Sequence, residues 1–347
     1  MQLPSLPALP LMPRLPHQLM QQRITQFYDD EIRSRYFRGL DFAGPQGDPG
    51  WFGPGSAVWY VHSHMPALVF GLQCAAYLER FDPSIFWMGV DHSRIVERDE
   101  GGEPTMQVDP EGAAVRLGHS VSFFIGTAYG STATAERVAN TVRAMHHTVK
   151  GTRPDGLPYD ADDPDWLRWN YATVVWGIAT AHEYYHPNPL RGKKIDRYYR
   201  EFVKVGHALG GTDLPETKAE TLDCLQEYLP KLALTYGAAM ATGPNLAAAQ
   251  AQPPGGEFID WAIRDTLPSW AAAMVMHRSP NPVERAARQA AVWSVINGIH
   301  FTMGALPEFR AAQRRVAGAD EVTAPTSPRH IPGTDPKRSR AKAEQMA

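Results

Sequence analysis

The sequence predicts an all-α fold: one large helical domain between a Pro-rich N-terminal arm and a disordered C-terminal tail. Three observations predict it. Apolar residues recur at helical spacing over most of the chain. Segments with strand-like alternation are few and short. No internal repeat and no linker-like change of composition divides the chain. With 347 residues, 43% hydrophobic and 20% charged, a sizeable core is available and wholesale disorder is excluded.

The elements follow in order. Residues 1–20 are expected as a flexible arm, because the prolines between Leu3 and Pro16 interrupt any helix and no basic segment opens a secretion signal. Leu and Met between those prolines leave a peripheral membrane contact as a minor reading. Residues 41–57 are dense in Gly and Pro and form a loop. A helix is expected to open at Pro66, with Leu68, Leu72, Ala75 and Ala76 as its apolar stripe and Cys74 as packing. Residues 98–114 read as a polar loop, followed by a short apolar segment.

From Thr132 to Lys150 the helical period is strong: Val138, Val142, Met145 and Val149 share a face, and Gly151 follows as a C-cap. Asp163-Pro164 is an N-cap with an N1 proline, and opens a long helix lined by Leu167, Tyr171, Val174, Ile178 and Tyr185. Further helices are expected over 195–209, 216–241, 257–277, 282–303 and 307–317. The domain thus spans 21–318. Residues 319–347 read as a disordered tail whose basic residues are a solvated end.

Composition excludes several functions. Lys and Arg total 34 against 37 Asp and Glu, a net charge of -3, which argues against nucleic acid as a partner. Cys74 and Cys224 make no disulfide framework, and no CxxC or CxxCH occurs. No apolar run is long enough for a transmembrane segment, and a cytoplasmic protein is expected. HExxH, GxSxG, GxxxxGK[ST] and GxGxxG are absent. The 13 histidines and 9 tryptophans point instead to imidazole chemistry in an aromatic interior.

Position decides which histidines matter. His146 lies four residues after Val142, on the apolar stripe, whereas His147 lies four after Arg143 and points with the charges. An inward imidazole on such a stripe is either a hydrogen-bonded core residue or an axial ligand to haem iron. Arg116 is either a surface residue or a bidentate partner for a buried carboxylate such as a haem propionate. His62-Ser63-His64 offers two ligands on one face of a strand but no third, so zinc is not expected. Glu183-x-x-His186 is a single ExxH where a di-iron bundle needs two. Asp91-His92 is expected as a structural hydrogen-bonded pair.

Several segments together resemble the latex-clearing protein (rubber oxygenase) and MpaB-type haem b oxygenase family: GDPGWFGPGSAVW (47–59), FDPSIFWMGVDHS (81–93), RLGHSVSFF (116–124), MHHTVKGTRPDGLPYDADDPDWLRW (145–169) and DRYYREF (196–202), with GHALGG (206–211) before LPET (214–217). The resemblance covers roughly residues 40–320. It implies a buried pocket for non-covalent haem b. It makes His146 the proximal ligand, in Met145-His146-His147-Thr148-Val149-Lys150, and matches the family's Arg-x-x-x-Thr to Arg116 and Ser120.

The chain also departs from the family. Rubber oxygenases carry Lys just before that Thr as a sixth ligand, and here His119 stands there, a candidate distal ligand. Many relatives have Trp-Val-His-Ala where this chain has Trp169-Asn170-Tyr171-Ala172, so Tyr171 is the candidate for pocket hydrogen bonding. Glu97 and Glu100 fall where the family's acidic base would be sought, and neither can be assigned.

The function implied is a haem-dependent oxidoreductase that uses dioxygen on an apolar, unsaturated, isoprenoid or lipid-like substrate, with an electron donor as a further partner. The alternative is a non-catalytic bis-histidine haem protein, ligated by His119 and His146, for electron transfer or sensing. A third reading keeps the fold without haem.

Overall fold

The computed structural model describes residues 14–242 and 256–317. The expected tail, 319–347, lies outside the described residues. Of the expected arm, residues 1–13 lie outside them too. The rest belongs to helix α1 (Arg14–Phe27), which corrects the reading of 1–20 as arm throughout; it runs into a π-helical turn at Tyr28–Arg33 and a last turn at Ser34–Tyr36.

After the Gly/Pro loop come α2 (Ala57–His62), α3 (Met65–Glu79) and α4 (Pro83–His92). A small antiparallel hairpin, β1 (Val96–Arg98) with β2 (Pro104–Val108), precedes α5 (Pro110–Tyr129) and α6 (Thr132–His146). A second hairpin pairs β3 (Lys150–Thr152) with β4 (Pro158–Asp160), Gly151 opposite Tyr159. The remaining helices are α7 (Pro164–Tyr185), α8 (Lys193–Ala208), α9 (Lys218–Glu227), α10 (Tyr236–Thr242), α11 (Gly256–Thr266), α12 (Ser269–Met274), α13 (Pro282–Met303) and α14 (Pro307–Ala317). The protein is mostly helical, as the sequence predicts.

Caps set many of these starts. Asp82, Asp109 and Asp163 each accept backbone N–H groups ahead of an N1 proline, and Asn281-Pro282 does the same for α13. Asp109 corrects one expectation: the segment read as loop and short apolar run is largely one 20-residue helix, α5, whose cap lies inside the polar stretch. The α6 expectation is also too long. Thr148 and Val149 donate to the Met145 and His146 carbonyls in a closing turn, and Lys150 then enters β3.

α3 and α7 form the central pair. They cross where Gly71 meets Gly177, so closely that a Cβ on Gly71 would stand 2.7 Å from the Gly177 carbonyl oxygen. A Cβ on Gly177 would stand 2.4 Å from that of Gly71. One core cluster gathers Trp59, Tyr129, Val175, Phe202 and Phe309, and another gathers Phe70, Leu78, Trp169, Trp176 and Ile296. Arg315, fully buried on α14, locks the loop to this frame. Its guanidinium donates to the carbonyls of Phe42, Asp48 and Tyr129 at 2.8 Å each and to that of Gly130 at 3.1 Å. Gly50 passes so near the Gly130 carbonyl, at φ +69, that only glycine fits there.

Candidate functional site

Four helices converge on the candidate site. His146 is the last residue of α6, where the helix stops and the β3–β4 hairpin begins. Its ring is half-buried and meets Trp166, in the first turn of α7, edge to face at 5.5 Å. Nδ1 is buried with no hydrogen-bond partner. Burial, then the charge of Arg116, push its pKa down to about 4, so the imidazole is neutral at pH 7. His147 instead points outward and pairs with Asp162 at 2.5 Å.

The stripe argument for His146 needs revision. Val138 and Val142 do pack on the core, but Met145 is 49% exposed and Val149 lies past the helix end, among Trp87, Met88, Tyr159 and Trp166. What half-buries His146 is Trp166 across the turn, not a longer helical stripe.

Arg116 stands on α5 with its side chain exposed and no hydrogen bond or ion pair among the described residues. Its charge acts on His146 and on Glu79, the last residue of α3. Glu79 Oε1 accepts from Asn170 Nδ2 at 2.9 Å and from Thr173 Oγ1 at 3.3 Å, both on α7. Burial raises its pKa, and Arg116 opposes that rise. Glu79 is the residue that sequence reasoning missed: α3 carries no motif, and its carboxylate reaches the site only through the α3–α7 crossing. Glu97 and Glu100 lie on and beside the exposed first hairpin.

The other expected residues are placed as follows. Ser120 Oγ donates to the Arg116 carbonyl at 3.1 Å, one turn back on its own helix. His119 is exposed, its ring edge against Tyr36 at 5.1 Å. Tyr171 is buried, its ring stacked with Phe202 and its hydroxyl 3.5 Å from the Tyr199 carbonyl. Arg116 therefore reaches His146 only through its charge, and His119, Ser120 and Tyr171 have other neighbours.

A second set of histidines lies in the interior. His64 stacks on His300 at 4.0 Å and meets His186 at 5.3 Å, and His186 meets His182 at 4.5 Å. His62 and His64 are not on a strand, as the ligand-pair reading required. His62 ends α2 beside Tyr198, and His64 caps α3, with Nε2 3.2 Å from Asn297 Oδ1. Among the described residues no group of three or more His, Cys, Asp or Glu is arranged to hold a metal ion. Glu183 pairs with Lys218 rather than serving an ExxH metal step. Asp91 and His92 do not pair with each other: the Tyr159 hydroxyl donates to Asp91 at 2.5 Å and lies 3.2 Å from His92 Nε2.

The fold is that of a helical oxygenase catalytic domain. The chain belongs to the family described as ER-bound oxygenase mpaB/B'/rubber oxygenase, catalytic domain, whose match spans residues 59–296 and includes Glu79, Arg116, His146 and Asn170. No curated protein and no solved structure matches the chain. Among the described residues no helix is long and apolar enough to cross a membrane.

Proposed function

We propose that the chain is an oxidoreductase, a haem b-dependent oxygenase acting with dioxygen on an apolar, unsaturated substrate, in which His146 would bind the iron. The observation that carries this reading is the donor set: a neutral imidazole with an unpartnered buried nitrogen, within the field of a guanidinium that has no hydrogen bond or ion pair among the described residues. An imidazole must be unprotonated to bind iron, and burial keeps His146 so at physiological pH. Arg116 has five donors in a planar fork suited to a propionate carboxylate. These residues fit the group the family implies. Haem, when bound, supplies the iron that activates dioxygen.

The chain's own residues do the positioning. Trp166 limits rotation of the His146 ring from one side. Asn170 and Thr173 fix the Glu79 carboxyl, whose burial raises its proton affinity against the opposing charge of Arg116. The test is purification with haem supplementation, haem-to-chain stoichiometry, and oxygen uptake with an alkene such as squalene. One haem per chain and alkene-dependent uptake are expected. Absence of a Soret band after supplementation would overturn the reading.

A further inference from the structure

Surface helices ordinarily show charge to water. α13 does so only near its start, at Glu284, Arg285 and Arg288; from Gln289 to Met303 it has no charged residue. Its inner side, with Val292, Ile296 and His300, is buried against α3 and α7. Its outer side is open: Val295 is 49% exposed and Phe301 47%, with Ile299 and Trp293 half-exposed on the flanks. A Cβ built on Gly298, at the middle of that side, meets nothing within 4 Å. α1 packs along α13 and adds Leu19, Met20 and Phe27, each more than half exposed.

We propose that the α1–α13 face is the interface of a homodimer, covered by the same face of a second copy about a two-fold axis. Area supports the occupant. At these exposures the large apolar side chains present on the order of 750 Å² per copy, close to the roughly 800 Å² per partner that a stable complex buries. Its centre also favours a protein helix over a lipid surface. Ala291, Ser294 and Gly298 give a bilayer little apolar area to bury, whereas they let a second helix approach closely.

The test uses the full chain. Sedimentation at tens of micromolar is expected to give twice the 38.4 kDa chain mass. The double variant Val295→Glu, Ile299→Glu is expected to sediment as a monomer that keeps the helical circular dichroism of the wild type. Gly298→Cys is expected to cross-link to a dimer under mild oxidation; Cys74 and Cys224 are buried, which leaves the new thiol as the reactive one. A monomeric wild type overturns the proposal. So does a dimer that survives the double variant and leaves Gly298→Cys uncross-linked. A monomer that floats with phosphatidylcholine–phosphatidylserine vesicles, and stops floating in the double variant, assigns the face to lipid and overturns it too.

Discussion

The guanidinium of Arg116, on α5, lowers the proton affinity of the His146 imidazole at the end of α6. Two helices that share one core thereby hold a neutral imidazole within the field of a cation that has no ion pair among the described residues. Removing the cation should be visible without any ligand. In Arg116→Gln, the His146 pKa is expected to rise from about 4 but stay below the ordinary 6.5, because burial is the larger cause. An NMR titration of the His146 ring protons checks this; an unmoved pKa would show that the two side chains do not sense each other.

Acid should unfold the protein early. Burial pushes His62, His186 and His300 down to about 3, His64 to about 4, and His182 well below its ordinary value. The unfolded chain titrates these rings near 6.5, so below that pH it binds more protons than the fold does. The contribution is complete above pH 6.5 and drains away as pH falls toward the folded-state values of about 3 to 4. Urea midpoints measured between pH 7.5 and pH 4.5 should drop steeply, and less steeply in His300→Phe. A flat profile would mean that the interior rings are hydrated.

The helix crossing sets a steric limit. Gly177→Ala places a methyl within 2.4 Å of the Gly71 carbonyl oxygen, so the backbones must part. A loss of about 1–3 kcal/mol or more is expected, as for other overpacked cores. Because Glu79 ends α3, the helix that Gly177 crosses, and Asn170 and Thr173 lie on α7, parting the two helices should also disturb the Glu79 bonds to Asn170 and Thr173. Thermal melts of Gly177→Ala beside Ala179→Gly, on the same helix, check the assignment to crowding.

Arg315→Met should cost more than its volume suggests. Four carbonyls of the loop and of the α5 end would lose their donor in a dry setting, at about 1–3 kcal/mol for each group left unpaired. A large fall in the urea midpoint is expected, with early amide exchange in the loop around Asp48. A midpoint near wild type would mean water replaces the guanidinium.

Much of the scaffold is legible in the sequence because its signals are local. Asp163-Pro164 and Asn281-Pro282 mark helix starts by themselves, and α13 and α14 fall on the residues the periodicity predicts. The family is legible too, since its segments keep their order and spacing. What periodicity could not show is where α6 stops. Val149 looks like the next turn of α6, yet a closing turn sends it to another cluster. Long-range partners were equally hidden. Glu79 meets Asn170 across 91 residues, and His64 meets His300 across the whole domain. Neither pairing leaves a local trace.

The central claim is that His146 holds the iron, and the absorption spectrum of haem-loaded protein tests it most directly. Wild type, His146→Ala and His119→Ala should be compared in the oxidised and reduced states. We expect His146→Ala to lose most of its haem, or to recover a wild-type spectrum only with added imidazole. His119→Ala, whose ring rests on Tyr36, should keep wild-type ligation. An unchanged Soret band and haem affinity in His146→Ala would contradict the account.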